Sequence, residues 1–215
     1  MGWTRSLGRG LVIAGLALVA GCTSSTNPPG PAQGTGAQGS SAPGSQSASP
    51  VSAPFLRTCD TSVYGDLGSD WRKGGLAAGP LTFVGLGSVG SAAADDFAPH
   101  AGRYRSIKAL AVVDQGADVT VSIATADLGH AALIYDPSSI RDDGLYAVND
   151  GESAVTFRSC AKGQKNALGY GGPTQFNGGF VVDGPRCLAV DVVASGRPPQ
   201  RLVISMGRGR CPISG

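Results

Sequence analysis

Between residues 55 and 215 the apolar residues recur mostly at every second position. Val119, Val121 and Ile123 alternate with Thr120, Ser122 and Ala124, and Leu188, Val190 and Val192 alternate with Ala189, Asp191 and Val193. Leu202, Ile204 and Met206 do the same with Val203 and Ser205. Successive side chains of a strand point to opposite faces, so this spacing predicts strands with one covered face. Further strands are predicted at Leu81–Val84, Tyr104–Val113, Ala131–Tyr135, Ala154–Cys160 and Phe176–Val182. Turn signals separate them: Asp114-Gln115-Gly116, Asp142-Asp143-Gly144, Asn149-Asp150-Gly151, Asp183-Gly184-Pro185 and Arg197-Pro198-Pro199. About eight short strands with no amphipathic helix predict an all-β fold, an antiparallel sandwich or barrel, with an Ig-like or jelly-roll-like β-sandwich preferred. The 161 residues from 55 onward suit one domain with one core.

The pattern changes completely upstream. Residues 1–21 carry Arg5 and Arg9 and no acid, then the apolar run Leu11 to Ala20, then Gly21. That is the layout of an export signal peptide, and the run falls short of the roughly 20 apolar residues that span a bilayer. Arg5 and Arg9 are not adjacent, so the twin-arginine route has no support. Leu18-Val19-Ala20-Gly21-Cys22 resembles the lipobox of bacterial lipoproteins. The resemblance implies a diacylglyceryl group on the Cys22 thiol, cleavage before Cys22, and a lipid-anchored protein on the extracytoplasmic face of the cell membrane. From Thr23 to Pro54 the chain is built from Ser, Thr, Gly, Ala, Pro, Gln and Asn, with no charge and one branched apolar residue, Val51. Such a stretch buries too little to offset its ordering entropy, so residues 22–54 are expected to be a disordered tether, permissive for glycosylation. As a random coil it would reach roughly 30 Å root-mean-square.

Removing the signal alters the charge and the cysteine count together. The formal +2 becomes 15 basic against 15 acidic residues, leaving no compositional basis for a nucleic-acid groove or a polybasic patch. With Cys22 lipidated, Cys59, Cys160, Cys187 and Cys211 remain, an even number in an oxidising, extracellular compartment, where two disulfides are the expectation. No zinc-type Cys/His spacing competes. Three pairings are open. If Ala154–Cys160, Phe176–Val182, Cys187–Val193 and Arg201–Gly207 run up and down in turn, Cys187 and Cys211 fall at one end and Cys160 at the other. That order favours Cys187–Cys211 with Cys59–Cys160.

Several stretches imitate chemistry. Gly85-Leu86-Gly87-Ser88-Val89-Gly90 follows an apolar run and matches the dinucleotide spacing, with Asp114 at a suitable distance downstream. With 34 glycines in 215 residues the spacing arises by chance, and Gly34 to Gly39 matches as well. Pro99 and Gly102 would also shorten the helix that a pyrophosphate needs. Ser88 lacks the leading glycine of a nucleophile elbow. Ser159-Cys160-Ala161-Lys162 fits S-x-x-K, but neither S-D-N nor K-T-G follows. His100 and His130, the two histidines, both sit in turn-like settings. Asp142, Asp143, Asp150 and Glu152 are the ligands to consider for calcium, although Asp and Asn also make turns unaided. Trp71, in a glycine-rich polar segment, either anchors a ligand or plugs the core edge. No catalytic set, cofactor or metal is assigned from these residues.

Phe157-Arg158-Ser159-Cys160, Thr174 to Val182, Pro185-Arg186-Cys187-Leu188-Ala189-Val190-Asp191-Val192 and Gly207-Arg208-Gly209-Arg210-Cys211 together resemble a group of secreted or lipid-anchored proteins of high-GC Gram-positive bacteria. The group carries no established activity. The resemblance implies the compartment and a small β-domain, and it transfers no catalytic residue. The expectation is therefore a lipid-anchored, non-catalytic binding or accessory module. Its partners would be the membrane through the lipid and an envelope glycan, peptide or protein, and not nucleic acid. The rival class is a secreted hydrolase using His100 or His130 with an acid, and a structural role in envelope integrity is a third.

Overall fold

A computed structural model describes residues 53–212; the predicted signal peptide, Cys22 and nearly all of the tether lie outside the described residues. Among the described residues there is no α-helix, only strands and short 3₁₀ turns, and the domain is an all-β sandwich. One sheet contains β1 (Phe55–Arg57), β10 (Ala154–Arg158), β7 (Asp118–Ile123), β13 (Arg186–Ala194) and β14 (Gln200–Met206), in that spatial order. The other layer is formed by β11 (Thr174–Phe176), β6 (Leu110–Val113), β3 (Leu81–Val84) and β2 (Leu76–Ala78), followed by β5 (Ile107–Lys108), β12 (Gly179–Val182) and β8 (Ala131–Ile134). A two-stranded ribbon of β4 (Tyr104–Arg105) and β9 (Leu145–Tyr146) completes the set. All pairings between the named strands are antiparallel except β1 with β10, which is parallel and departs from the purely antiparallel expectation.

The alternating stretches behave as their spacing predicts. Val119, Val121, Ile123, Leu188, Val190, Val192, Ile204 and Met206 are all buried and share one core with Leu81, Phe83, Leu133, Phe176 and Phe180 of the opposite layer. Aromatic rings join the layers, Phe157 lying edge-on to Tyr135 at 4.9 Å and tilted against Phe176 at 5.1 Å, while within the second layer Phe83 meets Phe180 at 5.3 Å. Strands β8 and β12 are buried at every position. Their outer residues Ala132, Ile134 and Val181 pack under Tyr104 and Tyr146, so both of their faces are covered and alternation disappears.

Two expected strands are broken, and at the same place. Tyr104–Val113 is three strands, and Phe176–Val182 is two. The pairs Val113↔Thr174, Ala111↔Phe176, Lys108↔Gly179 and Ile107↔Phe180 nevertheless keep a single register, and Ala109 N–H donates to the Gly178 carbonyl at 3.0 Å within the break. The antiparallel pair is thus one ladder that bends, leaving one sheet and entering the next. Crowding explains the glycines there. A Cβ on Gly178 would lie 2.3 Å from the Tyr135 ring, and one on Gly179 would lie 2.1 Å from the Ile107 carbonyl oxygen. The expected up-and-down order also fails, because β7 and not β11–β12 stands between β10 and β13. The bridges present are nonetheless Cys59–Cys160 and Cys187–Cys211.

The bend is held by Arg57, 1% exposed. Its guanidinium donates to the main-chain carbonyls of Tyr135, Asn177 and Thr61, to Thr61 Oγ1 at 3.1 Å and to Asn177 Oδ1 at 3.4 Å. It also lies over the Phe176 ring at 5.4 Å. Burial lowers the Arg57 pKa, and the nearby Asp136 opposes that shift. Tyr135, whose hydroxyl donates to the Ala109 carbonyl at 2.7 Å, has its pKa raised by burial. Arg57→Ala should cost about 2–4 kcal/mol in urea unfolding, since several buried carbonyls lose charged donors at once. Arg57→Lys should recover less than half of that, because an ammonium lacks the planar fork that reaches three segments.

Candidate functional site

A concavity of about 760 Å³ opens beside the bend. Its origin is a gap in strand pairing. At one end of Tyr104–Val113, β9 lies alongside through Tyr104↔Tyr146 and Arg105↔Leu145, continued by Ser106 N–H donating to the Gly144 carbonyl at 2.9 Å. At the other end β3 lies alongside, its last pair being Val84↔Leu110. Gly85 then adopts a φ of +99°, open to glycine and strained for other residues, and turns the chain away. In the interval β5 has β12 as its one neighbour, so its far side is a short sheet edge, and the groove lies along it.

The groove floor is Ile134, Tyr146 and the Asn177-Gly178-Gly179 bend, and its rim carries Arg105, Lys108, Ile140 and Arg141. Arg105 and Lys108 make no ion pair among the described residues, whereas Arg141 pairs with Asp150 at 3.1 Å and Arg103 with Asp143 at 3.1 Å. Ile140, 50% exposed, adds an apolar lip. The arrangement offers hydrogen-bonding backbone, two unmatched cations, one unmatched acid, Asp142, and an apolar wall. Such a surface can hold an extended ligand with an anionic group, but it contains no nucleophile paired with a base.

Of the four calcium candidates, Asp143 and Asp150 are engaged in turns. Asp143 accepts from Leu145 N–H at 3.0 Å and Asp150 from Ala147 N–H at 2.9 Å, each also holding its arginine. No three His, Cys, Asp or Glu side chains gather into a metal-holding group among the described residues. The dinucleotide-like glycines serve packing. A Cβ on Gly87 would meet the Gly74 carbonyl at 2.7 Å, and Gly90 accepts from Gly209 N–H at 2.8 Å, latching the C-terminal segment. Ser159, buried, accepts from Ala117 N–H at 2.9 Å while Cys160 is bridged, so S-x-x-K is structural. Trp71 is partly buried with Arg72 over its ring at 4.0 Å, and Arg72 in turn pairs with Asp114.

The histidines differ. His100 is exposed, with its backbone paired to Arg103. His130 Nδ1 lies 2.6 Å from Asp183 Oδ2, the other oxygen of Asp183 holds Arg186 at 2.9 Å, and Arg186 reaches Asp127 at 3.4 Å. The β8–β12 pairing brings this about, because Val182↔Ala131 sets Asp183 beside His130 and Asp183 N–H donates to the His130 carbonyl at 3.0 Å. A cleft of about 500 Å³ lined by Asp183 and Ser153 lies alongside, yet no hydroxyl is hydrogen-bonded to His130 among the described residues.

No family model, curated protein or solved structure matches the chain. The site is therefore argued from its own geometry.

The groove was invisible in the sequence because its walls are Arg105, Lys108, Arg141 and Asn177, from three separated segments, and its existence depends on where pairing stops. Within it Asp143 has a testable electrostatic signature. The Leu145 N–H bond, and after it the Arg103 charge, lower the Asp143 pKa. Its contribution to stability is thus complete above the ordinary carboxylate range and is lost as pH falls through the lowered value. Carboxyl-carbon NMR should find Asp143 titrating below an unfolded aspartate, and Arg103→Ala should narrow the difference without abolishing it.

Proposed function

We propose that the protein is a lipid-anchored module of the extracytoplasmic membrane face that binds an extended, anionic envelope ligand, a peptide in the first instance, in the groove beside β5. The observation that carries the binding half is the pairing gap: a sheet edge left open between β3 and β9, flanked by the unmatched cations Arg105 and Lys108. An extended segment laid in this gap would complete the ladder through main-chain hydrogen bonds, the mode of strand addition. The anchoring half is supported by the signal-like residues 1–21 and by Cys22. The groove has the dimensions and mixed polarity of a ligand site and lacks the paired nucleophile and base of a catalytic one.

The hydrolase alternative draws on the His130–Asp183 pair, since a carboxylate on Nδ1 leaves Nε2 free to act as a base. It lacks a nucleophile in contact with that nitrogen among the described residues, and Asp183 is shared with Arg186. The pair reads better as the lock on the β8–β12 end, and the binding module is the reading we adopt.

The two halves are tested separately. A Cys22→Ser precursor should fail to incorporate labelled palmitate and should leave the membrane fraction; continued labelling overturns the anchoring half. For the groove, acetyl-Ala-Asp-Ala-methylamide should shift the amide resonances of Ser106, Lys108, Gly85 and Gly144, with the lysine analogue markedly weaker. Arg105→Glu with Lys108→Glu should weaken binding about tenfold or more, the scale of two exposed ion pairs. Shifts confined to other surfaces would overturn the groove assignment.

A further inference from the structure

The loop from residue 161 to residue 173 carries Lys162 and Lys165 and no acid, and among the described residues neither lysine is in an ion pair. Its centre is an organised apex. Gly169 N–H donates to the Asn166 carbonyl at 2.9 Å and Asn166 N–H to the Tyr170 carbonyl at 2.8 Å, closing a turn. The Asn166 side chain accepts from Leu168 N–H and Tyr170 N–H, both at 3.0 Å, and donates to the Val63 carbonyl at 3.4 Å. The turn therefore holds Leu168 outward, 59% exposed, the most exposed large apolar side chain among the described residues. Beside it Tyr170 stacks on Tyr64 with ring centroids 3.5 Å apart and planes 6° from parallel, both rings nearly half exposed.

An exposed leucine normally sits on mobile or incidental surface. Here a five-residue turn, an asparagine with three side-chain hydrogen bonds and a stacked tyrosine pair fix its position. The chemistry of the patch is a short apolar tip, a collar of two phenol rings, and two flanking ammonium groups. That order matches the depth profile of an anionic bilayer: acyl chains innermost, then the interfacial zone favoured by tyrosine, then phosphate.

Cys59, two residues past the end of β1, has its Sγ 3.9 Å from the Lys165 carbonyl, so the loop lies by the end of β1 that is away from residue 54.

We infer that the Leu168 apex, with Tyr64, Tyr170, Lys162 and Lys165, is a membrane-contact site that seats the domain on an anionic lipid surface. The inference takes the location of the protein from the anchoring half of the proposed function, but the contact itself needs no lipid on Cys22. The test therefore uses the mature chain carrying Cys22→Ser, floated with vesicles of equal parts phosphatidylglycerol and phosphatidylcholine at low salt. Partition onto these vesicles is expected, and much less onto phosphatidylcholine alone. Leu168→Asp should reduce it about tenfold or more, from the loss of one buried leucine. Lys162→Glu with Lys165→Glu should reduce it by a similar factor, at roughly fivefold per charge. Both variants are at exposed positions, and unchanged unfolding midpoints will confirm that they fold.

No flotation of the parent, or equal flotation of parent and Leu168→Asp, overturns the inference, and the second result would leave the apex as a protein-contact tip. Failure of the anchoring half would appear instead as palmitate labelling that does not depend on Cys22, and it would leave the vesicle result unaffected.

Discussion

A single guanidinium, withdrawn from water and given carbonyls in place of a carboxylate, holds the region where the sheets exchange strands. Arg57 enters from β1, the first strand of one layer, and ends on Tyr135 and Asn177, which flank the bend in the other. An arginine that is 1% exposed has a large desolvation cost, and that cost is offset only while all three carbonyl-bearing segments stay in place. The arrangement is cooperative: strand β1, the end of β8 and the break at Asn177 form together or leave a buried charge short of partners. Tyr135 reinforces it from the other side through its hydroxyl bond to Ala109, the residue at the inside of the bend.

The groove follows from that constraint. Because the ladder between 104–113 and 174–182 must bend at Ala109 and Gly178, β3 can accompany it only as far as Leu110, and β9 only from Ser106 toward Tyr104. A straight ladder would have allowed β3 to continue past Lys108. The open edge is thus created by packing and stapled by Arg57, and its chemical character comes from residues whose own local roles are modest. Arg103 and Arg141 neutralise Asp143 and Asp150, which are engaged as turn-formers, and this leaves Arg105 and Lys108 as cations of the groove without partners, with Asp142 as its unpaired acid.

The legibility of these features in the sequence divides along physical lines. Val119 to Ile123 and Leu188 to Val192 could be read because each strand has one dry and one wet face, and the alternation records that directly. Ala131–Ile134 gave the right element without a face, since it is covered on both sides. The break in Phe176–Val182 was hidden because Asn177-Gly178-Gly179 reads as a pause in an apolar run, and the reason for the glycines is the distant Tyr135 ring and Ile107 backbone. Strand order failed because local sequence does not record that β7 intervenes between β10 and β13. Arg57 looked like an ordinary charged residue, and the His130–Asp183 contact rests on a pairing register 53 residues apart in sequence. Sites made by tertiary gaps leave no spacing to count.

The bridge between Cys59 and Cys160 spans 101 residues, and its first cysteine lies two residues past the end of β1. For a domain held by its N-terminal end, this position determines how a pull is carried. Tension arriving at Phe55 loads β1 along its length against the parallel strand β10, and any slippage that detaches β1 stops at Cys59, where the load passes through a covalent bond to the end of β10. The rest of the sandwich is then drawn at the middle of its chain and not unravelled from its terminus. Extension under such a load is limited to the few described residues ahead of Cys59.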